Sequence, residues 1–370
     1  MTISETAAGT PELTRDELRE QLWQAAIGCD ETHAVALARH AVGSGAPDQV
    51  LAAAEQVLLD LIASVQRRVG VEWAANKISV AQEHAATAIN ERCISAVADA
   101  AALAVAAIGA PRGRVTVACV DGEWHALPAR LVTEVLRLRG WEVDYLGAQV
   151  PTEHLVGHLH RRQADAVLLS SSLPAHLPTA HAAISACQVA GTPVMAGGAA
   201  FGPQGRYAHR MQAAWAPDAV GAHAVLERGL ERPRAEAARL PDLDLPHLND
   251  QEYTLVRQSR RQLVKQTLAD VEEAFPPMRA YSDYQLDKTA EDIDHIVTFL
   301  ATALYVDDPD LFTNFIVWTA GILESRGVPP QCLLPALGSL RRQLDDFPRA
   351  TGMLAAARRL VTVPGPGKPA

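Results

Sequence analysis

Residues 115–128 read Val-Thr-Val-Ala-Cys-Val-Asp-Gly-Glu-Trp-His-Ala-Leu-Pro. The first six, Val115–Val120, form the short run of apolar and β-branched residues that a parallel strand buried on both faces shows. A polar loop, Asp121–Pro128, follows, then a helical stretch, Leu127–Arg139, and a second short β-like run, Glu142–Leu146. Strand, loop, helix and strand open a βαβ pattern. Runs at Ala166–Ser170 and Pro193–Ala196, separated by helix-like 152–162 and 178–190, extend it to an open parallel sheet, with a fifth strand near Ala213–Ala216. Such sheets bind ligands at the carboxyl ends of their strands, where the loop 121–128 lies.

Upstream of Pro111 the period is helical. Thr14 with Glu17, and Ser79 with Gln82, have the spacing of capping boxes, while Asp30 and Asp48 are placed to cap two further helices. Val50, Val57, Leu58, Leu61, Ile62 and Val65 recur at helical spacing. A bundle of four helices over 14–27, 30–43, 48–73 and 79–108 follows, with Gly43, Gly45 and Gly70 at the breaks. Downstream, Pro233, Pro241 and Pro246 among charges mark a linker, 232–248. Helical patterns at 249–274, 282–306, 309–326 and 330–362 come next, the last broken near Pro348. The expected organisation is a flexible N-terminus (1–13), a bundle (14–110), a sheet domain (111–231), the linker, a separate all-helical domain (249–362) and a disordered tail (363–370).

Composition narrows the function classes. The 370 residues are 48% hydrophobic, enough for more than one core. A formal charge of −10 argues against a generic phosphate-binding surface, so direct nucleic-acid binding is not expected. Cys29, Cys93, Cys119, Cys187 and Cys332 are scattered without a C-x-x-C pair, which argues against a thiolate zinc site or a disulfide framework. No run of 18 apolar residues and no secretory leader is visible, so a cytoplasmic location without membrane association is expected.

The loop after the first sheet strand carries the chemistry. His125 stands where ligands bind, and Glu123, two residues away, can hold one ring nitrogen, fixing the tautomer and raising the basicity of the other. An isolated loop histidine is most often merely solvated. Here, however, the third strand ends in Ser170-Ser171-Ser172-Leu173 and the fourth in Gly197-Gly198, so three strand ends bring together an imidazole, small hydroxyls and bare backbone.

These residues resemble the cobalamin-binding domain family, whose pattern is Asp-x-His-x-x-Gly, then Ser-x-Leu, then Gly-Gly, preceded by a helical bundle. The pattern stands here as Glu123-x-His125-x-x-Pro128, Ser171-x-Leu173 and Gly197-Gly198, with Glu for Asp and Pro for Gly. The resemblance covers roughly 14–230 and implies a Rossmann-like (flavodoxin-like) cobalamin domain. In it His125 coordinates cobalt from below, Trp124 and Ser170 lie at the same site, and the nucleotide tail enters between strand ends.

A second constellation is Trp73, nine residues, then Glu83-His84. A tight reversal before the capping box at Ser79 can bring the three to one end of the bundle, where an indole and two polar groups suit an adenosyl group. The ordinary alternative is a core Trp and a solvated pair. The arrangement resembles the upper-face cap of light-sensing adenosylcobalamin proteins, with Ala74 where the light-released repressors carry a His, and without their N-terminal helix-turn-helix.

A cobalamin bundle and sheet followed by a helical domain resembles the photocobilins, which add a globin-like domain and bind a bilin. That resemblance implies a light sensor rather than an enzyme, holding adenosylcobalamin and a bilin such as biliverdin, and signalling through a homo-oligomer, expected as a dimer, or through a downstream protein. Bilin candidates are Tyr281, Tyr284, Asp292, His295, Tyr305, Trp318, Cys332, Arg341 and Arg342, each also readable as ordinary core or surface. The competing readings are a corrinoid methyl carrier of a methyltransferase system and a cobalamin-responsive regulator indifferent to light.

Overall fold

The computed structural model describes residues 14–233 and 245–362; the expectations for 1–13, for most of the linker and for 363–370 lie outside them. The chain divides into two compact units, Met1–Pro111 with Arg137–Gly140, and Arg112–Leu136 with Trp141–Ala370.

The first unit is a bundle of α1 (Arg15–Ile27), α2 (Glu31–Val42), α3 (Pro47–Gln56), α4 (Ala63–Ala74) and α5 (Val80–Ala106). A π-helical segment, Val57–Ile62, joins α3 to α4 into one continuous rod, so four rods are present as the periodicity requires. Within it Val57, Leu58, Leu61 and Ile62 are buried. Thr14 and Ser79 form the expected capping boxes, and Asp30 Oδ1 accepts from the His33 amide at 3.0 Å. Two local expectations fail. Asp48 is not a cap: α3 starts at Pro47, whose fixed φ suits the first helical position, so Asp48 falls inside the first turn. Gly70 is not a break but lies within α4.

The second unit is built on a five-stranded parallel sheet: β1 (Arg114–Cys119), β2 (Glu142–Gly147), β3 (Ala166–Ser170), β4 (Val194–Gly197) and β5 (Ala214–Trp215), in the order β2-β1-β3-β4-β5. The crossovers are α6 (Leu127–Leu138), α7 (Thr152–Arg162), α8 (Leu177–Val189) and the short α9 (Arg206–Arg210), and α10 (Ala219–Arg228) follows β5. Side chains alternate along each strand: Val115, Val117, Cys119 and Leu168 join the core of α6 and α10, while Ala118, Val167 and Leu169 join that of α7 and α8.

Beyond the linker come α11 (Glu252–Ala274), α12 (Asp283–Val306), α13 (Pro309–Ser325), α14 (Leu333–Gln343) and α15 (Pro348–Thr362), with the expected break before Pro348. The sequence reading sets these helices apart as their own domain. In the structure Val256, Leu300, Leu304, Phe312, Leu337 and Leu354 belong to the same continuous core as Val167, Leu169, Leu177 and Ile184. The physical reason lies in α8, where Leu177, Ala180, His181, Ala183, Ile184 and Cys187 are all buried. A helix apolar around most of its girth must be covered on the side away from the sheet as well.

Polar contacts tie the layers at one point. The last carbonyls of α12 have no partner within the helix, and donors from elsewhere take them: Arg349 donates to Leu304, His247 lies 2.8 Å from the Tyr305 oxygen, and Arg210 donates to Val306. Tyr305 Oη meets His181 Nδ1 at 2.8 Å, and Tyr207 donates to Asp308 at 2.7 Å.

Candidate functional site

β1, β3 and β4 all stop at the same end of the sheet, and their following loops interlock there. Glu123 is fully buried. Its Oε1 accepts from the His125 amide at 2.8 Å and lies 2.6 Å from His125 Nδ1. Its Oε2 accepts from Ser171 Oγ at 3.2 Å and from the amides of Ser172 and Leu173 at 2.6 and 3.2 Å. Burial pushes this carboxyl upward, but the bonds from the His125 ring and amide and from the Ser172 and Leu173 amides outweigh it, bringing the pKa to about 2. An ionised carboxylate only accepts, so Nδ1 carries the proton, and Nε2 is the nitrogen whose lone pair a metal would take. The imidazole is 55% exposed. The longer Glu in place of Asp therefore still reaches the ring at a short distance.

The loop geometry has a backbone cause. Gly198 adopts φ +100°, and a β-carbon there would sit 2.2 Å from the Ser171 oxygen. That oxygen accepts from the Ala200 amide at 3.1 Å, and the Ser171 amide donates to the Gly197 oxygen at 3.1 Å. Gly198 thus lets the β4 loop press against the β3 loop and holds Ser171 and Ser172 under Glu123. Behind the site, burial and the nearby Glu123 push the Cys119 thiol to about 12, so it stays protonated and acts in packing. Trp124, next to His125 in the loop, is 76% exposed, and Leu173, whose amide bonds Glu123, is 41% exposed.

The other cluster lies in the bundle unit. Trp73 occupies the last turn of α4, and Glu83 and His84 the first turns of α5. Glu83 Oε2 is 2.5 Å from His84 Nδ1. Behind Glu83 runs a chain of donors: Asn90 Nδ2 to Gln66 Oε1 at 2.7 Å, Gln66 Nε2 to Thr87 Oγ1 at 2.9 Å, and Thr87 Oγ1 to Glu83 Oε1 at 3.3 Å. Gln66, Thr87 and Asn90 carry no motif, and only helix pairing reveals them.

The nine C-terminal candidates do not form one group. Tyr305 is buried against His181 and Tyr253 near the end of α12. Arg342 pairs with Asp270 at 3.0 Å, Arg341 is exposed beside it on α14, and Tyr281 and Tyr284 are exposed near the start of α12. Asp292 does lie close to His295 and Cys332: desolvation raises both the Asp292 carboxyl and the Cys332 thiol, the nearby His295 works against that rise at Asp292, and the Asp292 charge adds to it at Cys332. One turn beyond His295 on α12 is Phe299, stacked at 3.8 Å on Phe315 of α13, with Trp318 6.4 Å from Phe315. The two phenylalanines escaped sequence reading because an apolar period predicts burial without saying which rings stack.

Residues 113–224 match the family model of a B12 binding domain, and residues 18–98 match that of a second B12 binding domain. The chain carries B12-binding domains. A cobalamin or another corrinoid is therefore the cofactor these B12-binding domains imply, and the residues present fit one: a carboxylate-braced imidazole and a buried Gln149 Nε2 without a hydrogen-bond partner among the described residues lie at the strand ends. No curated protein matches the chain. Among solved structures, the monomethylamine corrinoid protein of Methanosarcina barkeri is similar at 19% identity, over 58% of this chain and 100% of that one, with a TM-score of 0.47. A cobalamin-binding protein from Desulfitobacterium hafniense DCB-2 is similar at 18% identity, over 58% and 98%, with a TM-score of 0.31. The methanol:cobalamin methyltransferase complex of Methanosarcina barkeri is similar at 17%, over 60% and 85%, with a TM-score of 0.29. Among the described residues no helix is long and apolar enough to cross a membrane.

Proposed function

We propose that this B12-binding protein is a light sensor, with His125 as the lower cobalt ligand and adenosylcobalamin as the working cofactor. The observation that carries the cobalamin part is the buried Glu123 carboxylate, bonded at once to the His125 ring and to the β3 loop. It fixes the tautomer, orients the ring and raises the basicity of Nε2. When bound, the cofactor supplies a weak, photolabile cobalt–carbon bond. The chain supplies the rest: His125 binds, Glu123 with Ser171 and Ser172 orients, and Ser170, Gly197 and Gly198 line the strand ends for the nucleotide tail. Trp73, Glu83 and His84 are assigned to the adenosyl group because their spacing resembles that of light-sensing caps. For light to become a signal, dark and illuminated forms must differ in affinity for a partner, which we assign to a second copy of the chain or a downstream protein.

A bilin such as biliverdin is assigned to the helical layer, in a globin-like arrangement. The support is the flat apolar surface of Phe299 on α12, one turn beyond His295, stacked on Phe315 of α13 with Trp318 next to that ring, and the polar Asp292 close to His295 and Cys332. Reconstitution tests both halves. The dark adenosylcobalamin complex is expected to photolyse at low light dose with a change in oligomer size, and His125→Ala to lose the His-ligated spectrum. Methyl transfer to a thiol acceptor in place of a light response would favour the carrier reading. Absence of both would favour a light-independent regulator. Saturating biliverdin that leaves no new absorption band removes the bilin.

A further inference from the structure

The loop bearing Glu123 and His125 is flanked on both sides by polar side chains that the Glu123 network does not use. On the β2 side the strand ends irregularly. The β1–β2 register shifts so that Ala118 pairs with Gly147, which has φ +80°, and two residues later Gln149 holds φ +50°. A bulge at the end of a strand re-aims the chain that follows, and a left-handed backbone is uncommon for a side chain of this size. The Gln149 backbone N–H donates to the Glu123 backbone carbonyl at 3.1 Å, which anchors the residue to the loop that bears Glu123 and His125. Its Nε2 is buried and has no hydrogen-bond partner among the described residues.

On the β3 side, the turn Pro174–His176 follows Leu173 directly. The His176 ring lies against the same loop: a β-carbon on Gly122 would sit 3.3 Å from its Cε1 and 3.4 Å from its Nδ1. Gly122, at φ +85°, leaves the room that the imidazole fills. The ring is half-buried, and it makes no hydrogen bond or ion pair with the described residues.

Buried donors are paired in nearly all folded proteins, so the buried Gln149 Nε2 on one side of a ligand-bearing loop, with the half-buried His176 ring on the other, points to acceptors supplied from outside the chain. We infer that Gln149 and His176 are binding residues of the corrinoid site, donating hydrogen bonds to oxygen acceptors on the cofactor from opposite sides of the 121–125 loop. This rests on the cobalamin reading. The acceptor chemistry is an amide carbonyl of the corrin rim or a phosphate oxygen of the nucleotide tail. Neither residue ligates cobalt or braces His125, so both act on affinity and on discrimination among corrinoids, while the His-ligated state is set by Glu123.

The test is titration of the full chain with hydroxocobalamin and with diaquocobinamide, which lacks the phosphate and nucleotide, followed by absorbance. Gln149→Leu, Gln149→Glu and His176→Phe are compared with wild type, with thermal melts showing that each folds. Each variant is expected to bind hydroxocobalamin about 5- to 10-fold more weakly, one neutral hydrogen bond's worth. Gln149→Glu is expected to lose most, since it replaces a donor by an acceptor, and all three should keep the His-ligated spectrum at saturation. Equal losses for cobinamide assign the acceptor to corrin amides, and losses confined to hydroxocobalamin assign it to the tail phosphate. Folded variants that bind both probes within twofold of wild type overturn the inference, with the cobalamin reading intact. Wild-type protein that binds neither probe overturns that reading and the inference with it.

Discussion

Each of the two compact units carries a close Glu–His pair among its candidate site residues, and the two pairs are built to different standards. In the sheet unit, Glu123 and His125 meet at 2.6 Å, and the carboxylate is fully buried with donors on both oxygens from two loops. In the bundle unit, Glu83 and His84 meet at 2.5 Å, but His84 is 76% exposed, Glu83 is 27% exposed, and beyond the ring Thr87 donates to the carboxylate. The first pair is locked by backbone amides that cannot leave without opening the sheet end. The second hangs on side chains of two helices, Gln66, Thr87 and Asn90, which can re-pair as the helices shift. A fixed imidazole suits a permanent metal ligand, and an adjustable one suits a ligand group that comes and goes.

The contrast can be broken hardest at Gly198. Gly198→Ala puts a β-carbon 2.2 Å from the Ser171 oxygen on a left-handed backbone. The expected result is loss of about 4 kcal/mol or more in urea unfolding, together with loss of the His-ligated cobalamin spectrum. Glu123→Ala comes next. It leaves the Ser172 and Leu173 amides without their acceptor and the ring without its brace, for an expected cost of about 3 kcal/mol and a 10- to 100-fold loss of cobalamin affinity by spectral titration.

Acid gives a third, graded test. The Glu123 carboxyl is held at about 2 against an ordinary 4.5, so its charge stabilises the fold fully above pH 4.5, and that contribution is lost as pH falls from there to about 2. The loss is on the order of 3 kcal/mol. Unfolding midpoints at stepped pH should fall across this window in wild type, and Glu123→Gln should remove that part of the slope. Glu83→Ala is the smallest expected effect: stability within about 1 kcal/mol, as for exposed pairs. Any functional change should be confined to handling of the upper axial group, read as photolysis rate, with the His125-ligated spectrum unchanged.

Much of the fold was legible because it depends on local period and punctuation. The runs Val115–Val120 and Ala166–Ser170 are too apolar for a half-exposed sheet, and capping boxes at Thr14 and Ser79 fixed two helix starts to the residue. Pro47 misled at α3 because a fixed φ overrides a nearby Asp as the start signal. The π segment at Val57–Ile62 was invisible since apolar residues four apart fit an α-helix nearly as well. At the site, Glu123, His125, Ser171 and Gly198 carry recognisable spacing, whereas Gln149 and His176 do not. They reach the loop through a bulge and a turn, and no linear pattern encodes either.

By itself, the sequence determined the alternation of strand and helix, the four rods of the bundle and the identity of the imidazole with its carboxylate. Hydrophobic period and short-range spacing act within a few residues and need no partner to be read. Only the tertiary structure decided that the C-terminal helices share the core of the sheet. It alone gave Glu123 four protein donors beyond the ring, and showed that the proposed bilin residues separate into distinct places along α12 and α14. Those outcomes depend on which buried faces find each other across more than a hundred residues, and shape complementarity of that kind is settled by the whole packed chain.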